Sequence, residues 1–167
     1  LELDPIYAGA YGNRGLAYYW KGEYDHAISN FNKVLEMNPM DERTYANLGD
    51  AYYRKNEYDK AIFNYCKVLE MNPGYPKLAE LYCFLGLAYS GKCEYEKAIY
   101  YYNKLLEIYP KDPEAYYNKA VACEKSGAIE EALKSYKGFV QCATSQHSSY
   151  IEPVKQKIKE LEQKLSP

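Results

Sequence analysis

Slid against itself by 34 residues, the sequence superimposes Tyr11, Gly15, Tyr18, Ala27, Phe31 and Pro39 on Tyr45, Gly49, Tyr52, Ala61, Tyr65 and Pro73. A third copy carries Tyr82, Gly86, Tyr89, Ala98, Tyr102 and Pro110, and a fourth carries Tyr116, Ala120, Cys123, Ala132 and Tyr136. A period of this size means one small unit stacked several times, and at least about three units are needed to bury a continuous core. Four copies meet that condition.

Within each copy the apolar residues recur at helical spacing, as in Tyr45, Leu48 and Tyr52, then Ala61, Ile62, Tyr65, Val68 and Leu69. Two amphipathic helices per unit follow. Gly15, Gly49 and Gly86 fall where one helix of a pair approaches its neighbour, and Ala27, Ala61, Ala98 and Ala132 are small for the same reason. Turns inside the pairs are marked by Lys21-Gly22-Glu23, Lys55-Asn56-Glu57 and Ser126-Gly127. Turns between pairs are marked by Asn38-Pro39 and Asn72-Pro73, because proline disfavours helix for the residue before it.

The expected helices are Ala8 to Lys21 and Tyr24 to Met37, Glu42 to Lys55 and Tyr58 to Met71, Pro76 to Ser90 and Tyr95 to Ile108, and Asp112 to Ser126 and Ile129 to Cys142. Three residues are added between Pro73 and Pro110. Pro76 suits a first helical position, where its missing N–H costs nothing, so the addition is read as one extra turn at the front of the third pair. The fourth copy has drifted, with Ala120 for the glycine, Cys123 for the tyrosine and Thr144 at the place of the closing proline. A last unit needs no proline to turn a further one into place.

This pattern of an aromatic, Gly, Tyr, Ala, aromatic and Pro at period 34 resembles the tetratricopeptide repeat (TPR) family. The resemblance implies an all-α fold, a right-handed superhelix of four helix-turn-helix TPR repeats at about 8–41, 42–75, 76–112 and 113–144 within one domain. It also implies a protein-binding function, with a partner segment held in the concave face formed by the first helix of each pair. No catalytic activity and no cofactor are implied.

By the same resemblance, the groove is lined by defined places in each first helix. Asn13, Asn47 and Asn118 occupy one such place in three of the four repeats, and Phe84 interrupts the series. An amide can both donate to and accept from an extended peptide backbone, or simply serve as polar filler on the groove floor. Tyr19, Trp20 and Tyr53 are expected to form an aromatic shelf near Arg43 and Arg54, the residue types that dominate interface energetics. Tyr19, Tyr53 and Tyr117 lie off the core stripe, whereas 13 of the 22 tyrosines sit at four recurrent places and are read as packing. Asp50, Glu80, Glu114 and Glu124 turn the later repeats acidic.

A familiar use of this family is a clamp for the acidic C-terminal tails of chaperones. Its five places hold Gly12, Leu16, Asn47, Glu80 and Phe84 here, or Ala46, Asp50, Phe84, Glu114 and Asn118 one repeat later. Only Asn47 matches, which argues against chaperone-tail binding.

A final helix from about Tyr150 to Leu165 has its own logic. Ser149-x-x-Glu152 reads as a capping box, and Ile151, Val154, Ile158, Leu161 and Leu165 form one apolar stripe among lysines and glutamates. It is expected to cap the exposed edge of the fourth repeat, or alternatively to bind a partner or a second copy. The preceding segment, residues 143–149, reads as a polar loop.

Charge and composition exclude several classes. A formal net charge of −2 without Lys/Arg runs argues against nucleic acid, and no apolar run approaches the ~20 residues of a membrane span. His26 and His147 are the only histidines and build no nucleophile–base pair, and no metal-ligand cluster or phosphate loop is present. Five cysteines without a paired spacing suggest a reducing, cytoplasmic setting. Leu1-Glu2-Leu3-Asp4-Pro5 matches the end of a repeat, as in Leu35 to Pro39, and no initiator Met precedes it, so the chain reads as a fragment of a longer protein. Self-association through the open first-repeat edge, as a spacer or oligomerisation segment, is the alternative to peptide binding.

Overall fold

The computed structural model describes residues 5–165, so the match of residues 1–4 to the end of a repeat lies outside the described residues. Among the described residues nine α-helices follow one another: α1 (Pro5–Trp20), α2 (Tyr24–Met37), α3 (Glu42–Arg54), α4 (Tyr58–Met71), α5 (Leu78–Gly91), α6 (Tyr95–Ile108), α7 (Pro113–Ser126), α8 (Ile129–Cys142) and α9 (Ser148–Leu165). Among the described residues there is no strand, and none of these helices is long and apolar enough to cross a membrane. The fold is an all-α superhelix of four helix pairs closed by α9.

Each pair is held by a ring pressed onto a bare backbone. Phe31, Tyr65 and Tyr102, all at most 1% exposed, lie against Gly15, Gly49 and Gly86. A Cβ at Gly15 or Gly86 would come within 2.6 or 2.5 Å of ring carbons, so a side chain there would wedge the pair apart. In the fourth pair Ala120 takes the glycine's place and the packing shifts, with Gly138 of α8 meeting Tyr116 of α7.

The turn inside every pair passes through one left-handed residue. These are Gly22 (φ 79°), Asn56 (φ 60°), Cys93 (φ 61°) and Gly127 (φ 85°), at equivalent places in the repeat. Glycine and asparagine suit that conformation; a cysteine does not. The lysine that begins the turn in the first three repeats grips the glutamate that ends it, Lys21 to Glu23, Lys55 to Glu57 and Lys92 to Glu94, each at 2.6 Å. Lys55 also reaches back to Asp25, and Lys92 to Asp59, at 2.6 Å. The turn thereby ties each repeat to the one before. Ser126 ends the ladder, because the fourth repeat has no lysine at that place.

Curvature follows from which helices touch. First helices meet across repeats, α1 with α3, α3 with α5 and α5 with α7, whereas α2 and α4, or α4 and α6, do not. A stack in which one layer is closer than the other bends toward the closer layer. The first helices therefore line the concave side.

Two expectations are corrected. The added residues before α5 do not lengthen it; Pro73-Gly74 and Pro76-Lys77 form successive turns, and the helix starts at Leu78. Pro76 keeps Tyr75 out of the helical region, and Tyr75, 9% exposed, is drawn in to pack with Tyr65, Leu81 and Leu85. Likewise the entry to α9 is not Ser149-x-x-Glu152. A single 3-10 turn, Ser145–His147, leads directly into α9; the Thr144 amide donates to His147 Nδ1 at 3.1 Å, and Glu152 pairs with Lys155 at 2.7 Å.

The last helix packs on the fourth pair. Val154 and Leu161 are at most 3% exposed and share a cluster with Ala120, Cys123, Tyr136 and Phe139. Pro153 is the sixth residue of α9, past the four free first-turn donors, and so removes the bond an N–H there would donate to the Ser149 carbonyl.

Candidate functional site

Two adjoining hollows run along the concave side of the first three repeats. One, about 760 Å³, lies between α3 and α5 with Leu16 of α1 at its rim; the other, about 520 Å³, lies between α1 and α3. Leu16, Asn38, Asp41, Arg43 and Asn47 border both, so the two form one continuous groove. α3 is fixed at its entry by Asp41, whose carboxylate accepts from the Thr44 amide at 3.0 Å.

Asn13, Arg43, Asn47, Asp50, Glu80 and Phe84 all border this groove. The amides of Asn13 and Asn47, in the smaller hollow, have no hydrogen-bond partner among the described residues, and Arg43 has no ion pair there. Asn118 is half-buried on α7 and likewise unpartnered, but it borders neither hollow. Phe84 fills the intervening place because its ring stacks on Tyr65 at 5.9 Å between centroids, edge-on to Tyr53 at 5.6 Å. The amide series is therefore a pair in the groove and one residue apart from it.

The aromatic shelf divides. Tyr19 and Trp20 meet edge to face at 5.3 Å, and Arg54 Nε donates to the Tyr19 hydroxyl at 3.3 Å, which holds the guanidinium above its ordinary pKa. Trp20 remains 79% exposed. Arg43 does not belong to this group: it sits in the first turn of α3 and Arg54 at its end, about 16 Å apart at 1.5 Å per residue. Tyr53 packs with Phe84 and Tyr58. Tyr19 and Tyr53 thus carry packing duty as well as surface.

Asp50 is the electrostatic centre of the groove. Its Oδ1 accepts from the Tyr65 hydroxyl at 2.8 Å. Burial pushes its carboxyl up to about 6, against the pull of that hydrogen bond, with nearby Glu80 adding to the rise. Burial and the Asp50 charge together keep the Tyr65 phenol protonated, so it is the donor. Sequence periodicity did not reveal this pair, although Asp50 and Tyr65 each stood out separately.

The fourth repeat departs from the expected lining. Tyr117 packs on Phe139 at 5.5 Å and under Tyr150 of α9 at 5.7 Å, so α9 covers it and removes it from the groove. Glu124 accepts from Tyr136 and from Lys157 of α9, each at 3.0 Å. Burial would raise its pKa, but those two partners outweigh it and hold the carboxylate ionised. Glu114 borders a separate hollow with His147 and Tyr109. The acidic side chains of this repeat serve the cap and the rim rather than the groove.

No group of three or more metal-ligating side chains occurs among the described residues. His26 stands beside Glu23 at 3.3 Å on the outer surface.

The arrangement is that of a helical-repeat protein with an open concave groove. A family model described as TPR repeat matches residues 15–56, and three described as tetratricopeptide repeat match 42–75, 79–112 and 101–134. Together they span most of the chain, which belongs to the tetratricopeptide repeat family. A search of curated proteins finds no match. Among solved structures, a MamA protein is 28% identical with a TM-score of 0.76, covering 88% of this chain and 78% of its own. MamA from Desulfovibrio magneticus RS-1 covers 100% of both chains at 16% identity and a TM-score of 0.79. The first TPR of Spaghetti (RPAP3), bound to the HSP90 peptide SRMEEVD, is 23% identical with a TM-score of 0.67, covering 76% of this chain and 98% of its own. The last two likenesses speak for the fold alone.

Proposed function

We propose that this chain is a protein-interaction module that holds an extended segment of a partner protein in the concave groove of repeats one to three. The observation that carries this reading is the pair of amides, Asn13 and Asn47, without a partner among the described residues and in one hollow beside Arg43, which has no ion pair among them. Side chains placed along a channel with no intramolecular partner are suited to hydrogen-bond a peptide backbone that passes through it. The hollows, about 760 and 520 Å³, are in the range that accommodates several peptide side chains.

The peptide held by the RPAP3 repeat ends in two glutamates, a valine and an aspartate. In this chain the equivalent face offers Leu16, Glu80 and Phe84 in places where a carboxylate clamp needs polar or basic groups, so a different segment is the expected ligand. The test is a peptide array screened against the chain, with hits remeasured on Asn13→Ala and Asn47→Ala. Loss of one backbone hydrogen bond at Asn47 should weaken binding roughly fivefold, about 1 kcal/mol. Affinities unchanged in both variants would dismiss the groove.

A further inference from the structure

The chemistry of the larger hollow narrows the partner. Six charged side chains border it: Asp41, Glu42, Asp50 and Glu80 against Arg43 and Lys77. Lys77 is already committed to Glu80 at 3.0 Å. Asp50 uses Oδ1 for the Tyr65 hydroxyl and, among the described residues, leaves Oδ2 without a hydrogen bond. Leu16, Phe84 and Tyr65 line the same hollow, an apolar and aromatic lining around a half-buried carboxylate.

A carboxylate in such a place is poorly solvated, and a cation brought to it relieves the cost. An aliphatic stem over Phe84 would gain apolar contact, and an ammonium or guanidinium near the rings would gain cation–π attraction. Arg43 is seven residues from Asp50 along α3, a rise of roughly 10 Å along the helix axis and somewhat more than the ~8 Å screening length at physiological salt, so its repulsion of an incoming cation is weak. Arg54 lies four residues on the other side, but its guanidinium is turned to Tyr19.

We infer that the hollow between α3 and α5 takes a lysine or arginine side chain of the bound segment, its charged head on Asp50 Oδ2 and its stem along Phe84. This rests on the groove reading above. The partner is therefore an extended segment with a basic residue at the place that meets repeats two and three. Affinity depends on pH through the Asp50 carboxyl, which faces Tyr65 from α4, Glu80 of α5 with Lys77 at its N-cap, and Arg54 from its own helix.

Two measurements on the whole chain test this separately from the groove itself. The first titrates the 15N-labelled protein with Nα-acetyl-arginine N-methylamide and with its neutral citrulline counterpart, following the amides of Leu16, Asn47 and Phe84. The arginine probe should shift them at pH 7.5, about tenfold more weakly at pH 5, and not in Asp50→Asn, whose amide oxygen still accepts from Tyr65. A citrulline response equal to that of arginine, or an arginine response retained in Asp50→Asn, overturns the inference. The second asks whether array peptides that perturb Asn13 and Asn47 are enriched in Lys or Arg. Groove binders with no such preference overturn the inference and leave the groove standing; an array with no groove binder defeats the groove reading, while the arginine probe still decides the pocket.

Discussion

Gly91, the last residue of α5, lies flat against the ring of Tyr58 at the start of α4, so that a Cβ at position 91 would stand 2.6 Å from ring carbons. The contact joins the third repeat to the second. Gly91→Ala should therefore destabilise by about 1–2 kcal/mol despite the better helix propensity of alanine, because overpacking outweighs that gain. Gly86→Ala should cost more, about 2–3 kcal/mol, since the opposing Tyr102 ring is 1% exposed and cannot swing away. Urea unfolding of the two variants checks the order; a neutral Gly86→Ala would refute the close approach.

Cys93 holds a left-handed turn that Gly22 and Gly127 hold without strain. A side chain in that region costs about 1–2 kcal/mol, partly offset by the smaller entropy loss of a non-glycine residue on folding. Cys93→Gly is expected to raise stability by about 0.5–1 kcal/mol, and Asn56→Gly by less, because asparagine tolerates the conformation and its Oδ1 accepts from Tyr58 at 2.8 Å. Thermal unfolding under reducing conditions measures both. A loss of stability in Cys93→Gly would mean that the backbone there is not strained.

These two sites also show what the residue pattern could and could not reveal. The limits of α2, α4, α6 and α8 coincide with those expected from periodicity, because their apolar stripes are unbroken and each ends at the residue before an Asn, Tyr or Ala that leaves the helix. The turn inside the pair was legible at Gly22, Asn56 and Gly127, whose residue types mark it, and unmarked at Cys93. Pro76 misled because a proline fits both a first helical turn and a loop; burial of Tyr75 decided between them. Membership of the concave face, which the family resemblance implied for Asn13, Asn47, Asp50 and Phe84, agrees with the hollows these residues border. It failed for Tyr117, because α9 lies outside the period and nothing in the repeat says where it docks.

Asp50 makes stability depend on pH in a direction opposite to that of a salt-bridged carboxylate. Its folded carboxyl titrates up at about 6, above the ordinary 3.8, so between these values the folded state retains a proton that the unfolded chain has released. The resulting stabilisation is full below about 3.8 and is lost as the pH rises to about 6. Asp50→Asn cannot ionise and keeps the acceptor for Tyr65. It should exceed the wild type by about 1–2 kcal/mol at pH 7.5, a figure reduced for partial solvent access, and should match it near pH 4. Denaturant unfolding at the two pH values tests this; a difference that does not shrink on acidification would contradict an elevated Asp50 pKa.

Leu161 decides whether α9 is a cap or an independent binding helix. Its side chain is fully buried in one cluster with Cys123, Tyr136 and Phe139, so it shields apolar surface that the end of the array would otherwise expose. Truncation to alanine should leave a cavity and cost about 2–4 kcal/mol, the range for buried leucines. Lys157→Ala, by contrast, removes only the half-exposed partner of Glu124 and should cost well under 1 kcal/mol. A helix that merely awaited a partner would give a small effect at both positions, since neither side chain would then contribute to the free chain. Urea titrations that place Leu161→Ala far below Lys157→Ala would assign α9 to the core of the fourth repeat, and equal small losses would detach it.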